Sequence, residues 1–344
     1  MRSGKAGSFV DFFKAHPILL LLVLTPGIPE YLSGSSALNK IILDPAAFFI
    51  FLTVNLGLYG PGVLLIREAK IRWHKGWATV LLLGAAYGIL EEGIALSTLF
   101  NPHAGPVGQL GFYGHFLGVN WIWTLGILSV HMIFSISLPI LLLALALPET
   151  SGKSLLQSGR AIVSTFVILF VDAFILFLVV FRAEHFWMGM PVFLGSLVAI
   201  GVLVFLAYKV PAGALTPKSI MPAASPLRTG IIGALFYPSI LFVEFFGMGV
   251  KLPAVIDLGL VVLDQVLYLA LVLRVIGRSN NERNLVALMA GLIIPIGLFG
   301  LISEIPFALS ALADIIAAVL LWRLWRKYPP KAQLPEVPRD YLLQ

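Results

Sequence analysis

The sequence predicts an all-α, polytopic bundle of about ten transmembrane helices, and three observations predict it. Hydrophobic residues make up 59% of the 344-residue chain and charged residues only 12%, with a mean hydropathy of +0.97. That is far from the half-apolar, quarter-charged composition of soluble domains. Ten segments stay apolar over the ~20 residues needed to cross a hydrocarbon core. If the N-terminus is cytoplasmic, twenty of the 23 lysines and arginines fall on the cytoplasmic side, leaving only Lys40, Arg182 and Lys251 outside. This positive-inside bias sets the orientation, and gaining or losing one span would scramble it.

The first span, about 17–34, follows Arg2, Lys5 and Lys14. No small-residue cleavage site follows its apolar run, so it reads as an anchor rather than a signal peptide. Thr25 to Glu30 carries Pro26 and Pro29, which predicts a span broken about halfway, or a re-entrant element. The second span, about 45–66, is interrupted by Gly57, Gly60, Pro61 and Gly62. The third and fourth, about 77–100 and 119–147, flank an outer loop, and the fourth carries Pro139. Further spans follow at about 161–181, 188–208, 229–250, 254–276, 285–303 and 307–325, with Pro238, Pro295 and Gly297 inside them. All seven tryptophans sit at or near span ends, where indole rings prefer the headgroup region. Both termini are expected in the cytoplasm, and the proline-rich tail 328–344 is expected to be flexible. Arg67 to Lys75 reads as a basic inner loop that sets topology and meets anionic lipid.

The chain is therefore expected to form one integral membrane domain in a prokaryotic cytoplasmic membrane. The absence of cysteine excludes disulfides and thiolate metal sites. The formal charge of +6 is accounted for by where the cations sit, so nucleic acid is not implied as a partner. The partners implied are the lipid bilayer and a membrane-embedded peptide or small lipophilic solute.

The sharpest chemical feature is Glu91-Glu92 within the third span, followed by His131 on the fourth. A carboxylate at membrane depth costs at least about 2.5–3.5 kcal/mol on insertion scales, so a pair is kept where a polar interior receives it. At 1.5 Å per residue, Glu92 lies roughly 12 Å and His131 roughly 18 Å below the outer surface. Contact is expected if the two helices pack, with Ser97, Thr98 and Asn101 above and Ser129, Ser135 and Ser137 around the imidazole. Adjacent helical positions lie about 100° apart. One glutamate should therefore face the bundle interior while the other meets a neighbouring helix or the edge of a water-filled pocket. Such a site offers a general base or proton carrier. Zinc is a weaker option, because no His-Glu-x-x-His pattern accompanies these ligands; no cofactor is expected.

A Glu-Glu pair in one membrane helix, with a histidine some forty residues on in the next, resembles the CAAX-prenyl-protease and bacteriocin-processing (CPBP) family of intramembrane proteases. That family's motifs are Glu-Glu-x-x-x-Arg, Phe-x-x-x-His and a later His followed by Asn or Asp. Glu91-Glu92 match the start of the first, with Leu96, the neighbour of Ser97, where the arginine would be. His131 matches the second, with Ile127 at the phenylalanine position, and no later span holds a third histidine. The resemblance covers about seventy residues. It implies peptide hydrolysis with Glu91 or Glu92 activating water and His131 holding that water or the oxyanion.

The alternative comes from acids dispersed over other spans: Asp172, Glu244 and Asp264, with Glu304 and Asp314 beyond them. None has a lysine or arginine at comparable depth. With Asn101 at the outer rim, they are the groups a proton-coupled transporter of a small or lipophilic solute would use.

Overall fold

The computed structural model describes residues 9–35, 45–216, 224–276, 282–303 and 308–330. Among the described residues it is helices joined by turns and loops, with one short hairpin as its only strands. The helices are α1 Phe9–Ala15, α2 Pro17–Pro26, α3 Pro45–Leu52, α4 Gly60–Arg72, α5 Trp77–Gly88, α6 Trp121–Val130, α7 Leu138–Ala146, α8 Gly159–Glu184, α9 Met190–Lys209, α10 Pro226–Gly249, α11 Ala254–Ile276, α12 Glu282–Ser303 and α13 Ala308–Lys327. In the outer loop, β1 His115–Phe116 pairs antiparallel with β2 Val119–Asn120. Glu304, Lys40 and the tail beyond residue 330 lie outside the described residues.

The chain is a multi-pass, all-α membrane protein. Among the described residues, seven helical stretches are long and apolar enough to cross a bilayer: Trp77–Ala95, Trp121–Ala146, Gly159–Glu184, Met190–Lys209, Pro226–Gly249, Ala254–Ile276 and Glu282–Ile302. The first expected span is a shorter apolar helix, Pro17–Leu32. The helix after Pro45 runs on to Arg72, so Arg67 to Arg72, expected in a loop, form its last turns.

Local chemistry explains the helix ends. Proline occupies the first turn of α2, α4, α7, α9 and α10, where its missing N–H costs nothing. Ser158 and Ser225 cap α8 and α10 by accepting hydrogen bonds from the Ala161 and Arg228 amides.

Two apolar clusters organise the interior. One gathers Leu21, Leu58, Val63, Val80 and Leu83 with Ile136, Ile140 and Leu143. The other gathers Phe236, Ile240, Met289 and Ile296 with Phe134, Leu138 and Leu142. The stretch 134–143 thus sends alternate helical faces to the two clusters and forms the wall between them.

Candidate functional site

The site forms where four helical stretches loosen from α into π geometry, and every one of these π turns carries a polar residue of the site. Gly27–Leu32 carries Glu30, Thr53–Tyr59 carries Tyr59, Ile89–Ala95 carries Glu91 and Glu92, and His131–Ser137 carries His131 and Ser135. π turns are rare and are frequently found at functional sites. The break expected at Pro26 and Pro29 is one of them: the helix widens there and continues instead of ending.

Glycines bring the third and fourth expected spans into contact. A Cβ on Gly88 would lie 2.7 Å from Leu128 Cδ2 and 3.3 Å from His131 Cβ, and one on Gly84 would lie 3.1 Å from Met132 Cα. This approach seats the imidazole beside the glutamates. His131 Nε2 is 3.0 Å from Glu92 Oε1, and Nδ1 is 3.3 Å from Glu91 Oε2. Both carboxylates therefore reach the same ring. Their angular separation on the helix is used to bracket the imidazole of the neighbouring helix from two edges.

The two glutamates are held differently. Glu92 is tied down: Thr98 Oγ1 donates to its Oε2, and Oε1 engages the imidazole. Nδ1 is shared, because Ser135 Oγ lies 3.0 Å from it. Glu91 Oε2 is held only loosely, by Nδ1 at 3.3 Å and by the buried Tyr87 hydroxyl beside it, and neither oxygen has a partner of close hydrogen-bond geometry. Two buried oxygens so loosely engaged at one point are unusual, since such groups are nearly always well paired.

Tyrosines complete the walls. The Tyr59 and Tyr87 rings lie 6.3 and 6.1 Å from the imidazole, and the Tyr59 hydroxyl donates to Glu30 Oε1 at 2.6 Å. Glu30, Tyr59 and Tyr87 were not anticipated as site residues. In the sequence Glu30 stands only as the end of the stretch expected to break the first span. An acid closing an otherwise apolar helix was the signal available for it.

The expected water-filled pocket is closed: Glu91, Glu92 and His131 are 1%, 8% and 2% exposed. Alongside lies a cavity of about 430 Å³, running from Arg72 and Trp73 to Tyr87 and Leu90, walled by apolar side chains such as Leu83, Phe166 and Leu197.

The remaining candidates lie around this centre. Asn101 Nδ2 donates to Glu184 Oε2 at 2.7 Å, and its carbonyl accepts from Asn120 Nδ2, which also binds the Thr98 carbonyl. Asn101 thus braces the turn holding Thr98 and does not touch a site carboxylate. Asp172 packs against Gly57, in the same π turn as Tyr59. Glu244 packs against Gly126, five residues before His131, and Asp264 accepts from Ser239 Oγ at 3.2 Å. Ser129 bonds the Leu125 carbonyl and the Ser137 hydroxyl has no partner, so of the three serines expected around the imidazole only Ser135 meets it. No group of three or more metal-ligating side chains with metal-binding geometry occurs among the described residues.

Comparison with protein-family models, with curated proteins and with solved structures found no match to this chain.

Proposed function

We propose that the chain is an intramembrane peptide hydrolase resembling the CPBP proteases. The observation that carries this reading is the loosely held Glu91 Oε2 with the Tyr87 hydroxyl beside it, next to an imidazole anchored by Glu92. A water seated there gives its proton to Glu91 as its oxygen attacks a scissile carbonyl. His131 stabilises the developing oxyanion, and the proton on Glu91 passes to the leaving amine as the C–N bond breaks. Glu92 and Ser135 position the ring. The apolar cavity ending at Tyr87 and Leu90 suits a substrate arriving sideways from the bilayer.

Positioned acid–base groups contribute about 10²–10⁴-fold to rate. Glu91→Gln should therefore lower cleavage of a membrane-embedded reporter peptide in proteoliposomes by at least about 100-fold, and Glu92→Gln should do the same by releasing the imidazole. Cleavage unchanged in the double variant removes this reading.

The second reading is a proton-coupled transporter. What favours it is Asp172, whose carboxyl is docked on Gly57 within the π turn that carries Tyr59. Solute-dependent proton uptake into proteoliposomes, lost in Asp172→Asn, is its test. No uptake across a broad panel of lipophilic solutes counts against it.

A further inference from the structure

The basic end of α4 encloses a second cavity, separate from the glutamate and histidine site. It has a volume of about 300 Å³ and is lined by Arg67, Lys70, His74 and Lys75, with the Thr150–Gly152 turn on the opposite wall. None of its lining residues is acidic. That volume is at the small end of ordinary ligand pockets, about 300–1,000 Å³.

Arg67 is the observation that makes this more than a charged rim. Its side chain is buried, at 4% exposure, yet weakly neutralised. One guanidinium nitrogen donates to the Thr150 carbonyl at 2.7 Å, and the other reaches Glu68 only at 3.5 Å. The charge of Glu68 is committed elsewhere, to Arg72 at 3.1 Å, the Ser154 hydroxyl and the Leu155 amide at 2.7 Å. A guanidinium carries five N–H donors, so donors remain at the cavity wall. Lys70 lies over the Trp77 ring at 5.1 Å, and Lys75 donates to the Val210 carbonyl at 2.9 Å. Burial, with the neighbouring Arg67 adding to it, holds the Lys70 ammonium below the usual lysine range. His74 has a left-handed backbone, φ 53°, at a helix end where glycine is usual, which keeps an imidazole at the mouth.

We propose that this cavity binds a phosphate-type oxyanion, presented either as free phosphate or as the headgroup of an anionic lipid. Arg67 supplies directed donors, while Lys70 and Lys75 supply charge from the sides. Such convergent donors are how proteins recognise phosphate.

The test uses the intact protein in maltoside detergent free of phospholipid, with thermal stability as the readout. One arm titrates inorganic phosphate against potassium chloride at matched ionic strength; the other titrates short-chain phosphatidate. Saturable stabilisation by either probe is expected, and which probe acts identifies the source. Lys70→Gln should raise the apparent Kd about tenfold, as loss of one charge-assisted contact does, and Lys70→Arg should restore it. Lys209→Gln removes a cation from the end of α9 but does not line the cavity, so it should leave Kd within about twofold. No saturable response to either probe overturns the proposal. So does equal weakening by Lys70→Gln and Lys209→Gln, which would mean diffuse attraction to a basic face.

Discussion

Two sets of intramembrane acids in this molecule are housed in opposite ways. Glu30, Glu91 and Glu92 sit in π turns and meet polar side chains: a tyrosine hydroxyl, an imidazole and a threonine hydroxyl. Glu244, Asp257, Asp172 and Asp314 sit in regular α-helices and each fills the space left by a missing side chain. A Cβ on Gly126 would lie 1.8 Å from Glu244 Oε1, one on Gly247 2.1 Å from Asp257 Oδ1, one on Gly57 1.4 Å from Asp172 Oδ2, and one on Gly297 2.2 Å from Asp314 Oδ1. Both Glu244 and Asp257 are buried; Glu244 Oε1 completes no hydrogen bond, and Asp257 has only the Tyr113 hydroxyl near it. Depth and acidity are common to both sets, so neither separates a reactive carboxylate from a packed one. The partners do. The first set is organised around one basic ring, and the second is accommodated by glycine.

The largest effect that tests this contrast comes from removing the ring. His131→Leu leaves three carboxylates facing one another without an imidazole, and loss of one member of a buried pair costs about 3–5 kcal/mol. Glu244→Gln keeps the shape that fits Gly126 and breaks no pair, so it should cost no more than about 1 kcal/mol. Both are read from unfolding midpoints in detergent. Equal losses would erase the distinction between the two sets.

An acid outside the hydrocarbon shows what full pairing looks like. Glu68 is buried, which raises its pKa, but the Ser154 hydroxyl, the Leu155 amide, Arg72 and the Leu156 amide outweigh burial and hold it below the ordinary 4.5. A depressed carboxylate stabilises the fold fully above its unfolded pKa, and that contribution is lost as pH falls through the lower folded value. The melting temperature should therefore fall on acidification below about pH 4.5, and Glu68→Gln should flatten that part of the profile. An identical acid limb in the variant would mean that Glu68 does not link α4 to the loop at 154–156.

The glycine pairing is tested by filling it. Gly126→Ala forces Glu244 to move and should cost about 1–3 kcal/mol, as overpacking does. Gly126→Ala combined with Glu244→Ala should recover most of the loss. Gly105→Ala, at a position with nothing within 4 Å, is the control that should change little.

How much of this was legible in the sequence follows from the range of each interaction. Span positions depend on local hydropathy, so the helices from Trp77 to Ile302 stand close to their expected limits. The pairing of Glu91-Glu92 with His131 was also readable, because the three share two consecutive helices. Glu30 and Tyr59 were not, since their place depends on widened turns in two other helices, and the proline signal at Pro26 and Pro29 reads equally as a break. The glycine partners of Glu244 and Asp172 lie more than a hundred residues away along the chain. Only the packed fold pairs them.

The smallest expected change in stability is also the most pointed about mechanism. Ser135 Oγ and Glu91 Oε2 compete for His131 Nδ1, at 3.0 and 3.3 Å. Ser135→Ala removes one neutral hydrogen bond, worth about 1 kcal/mol. It also leaves Nδ1 to Glu91 alone, so Glu91 Oε2 swings fully onto the ring and is no longer free to take a proton from water. If Glu91 is the base, peptide cleavage should fall by about tenfold or more while the melting temperature hardly moves. Ser135→Thr, which keeps the hydroxyl, should restore cleavage. Full activity in Ser135→Ala would show that Glu91 Oε2 is not the oxygen that accepts the proton, and the role would pass to Glu92.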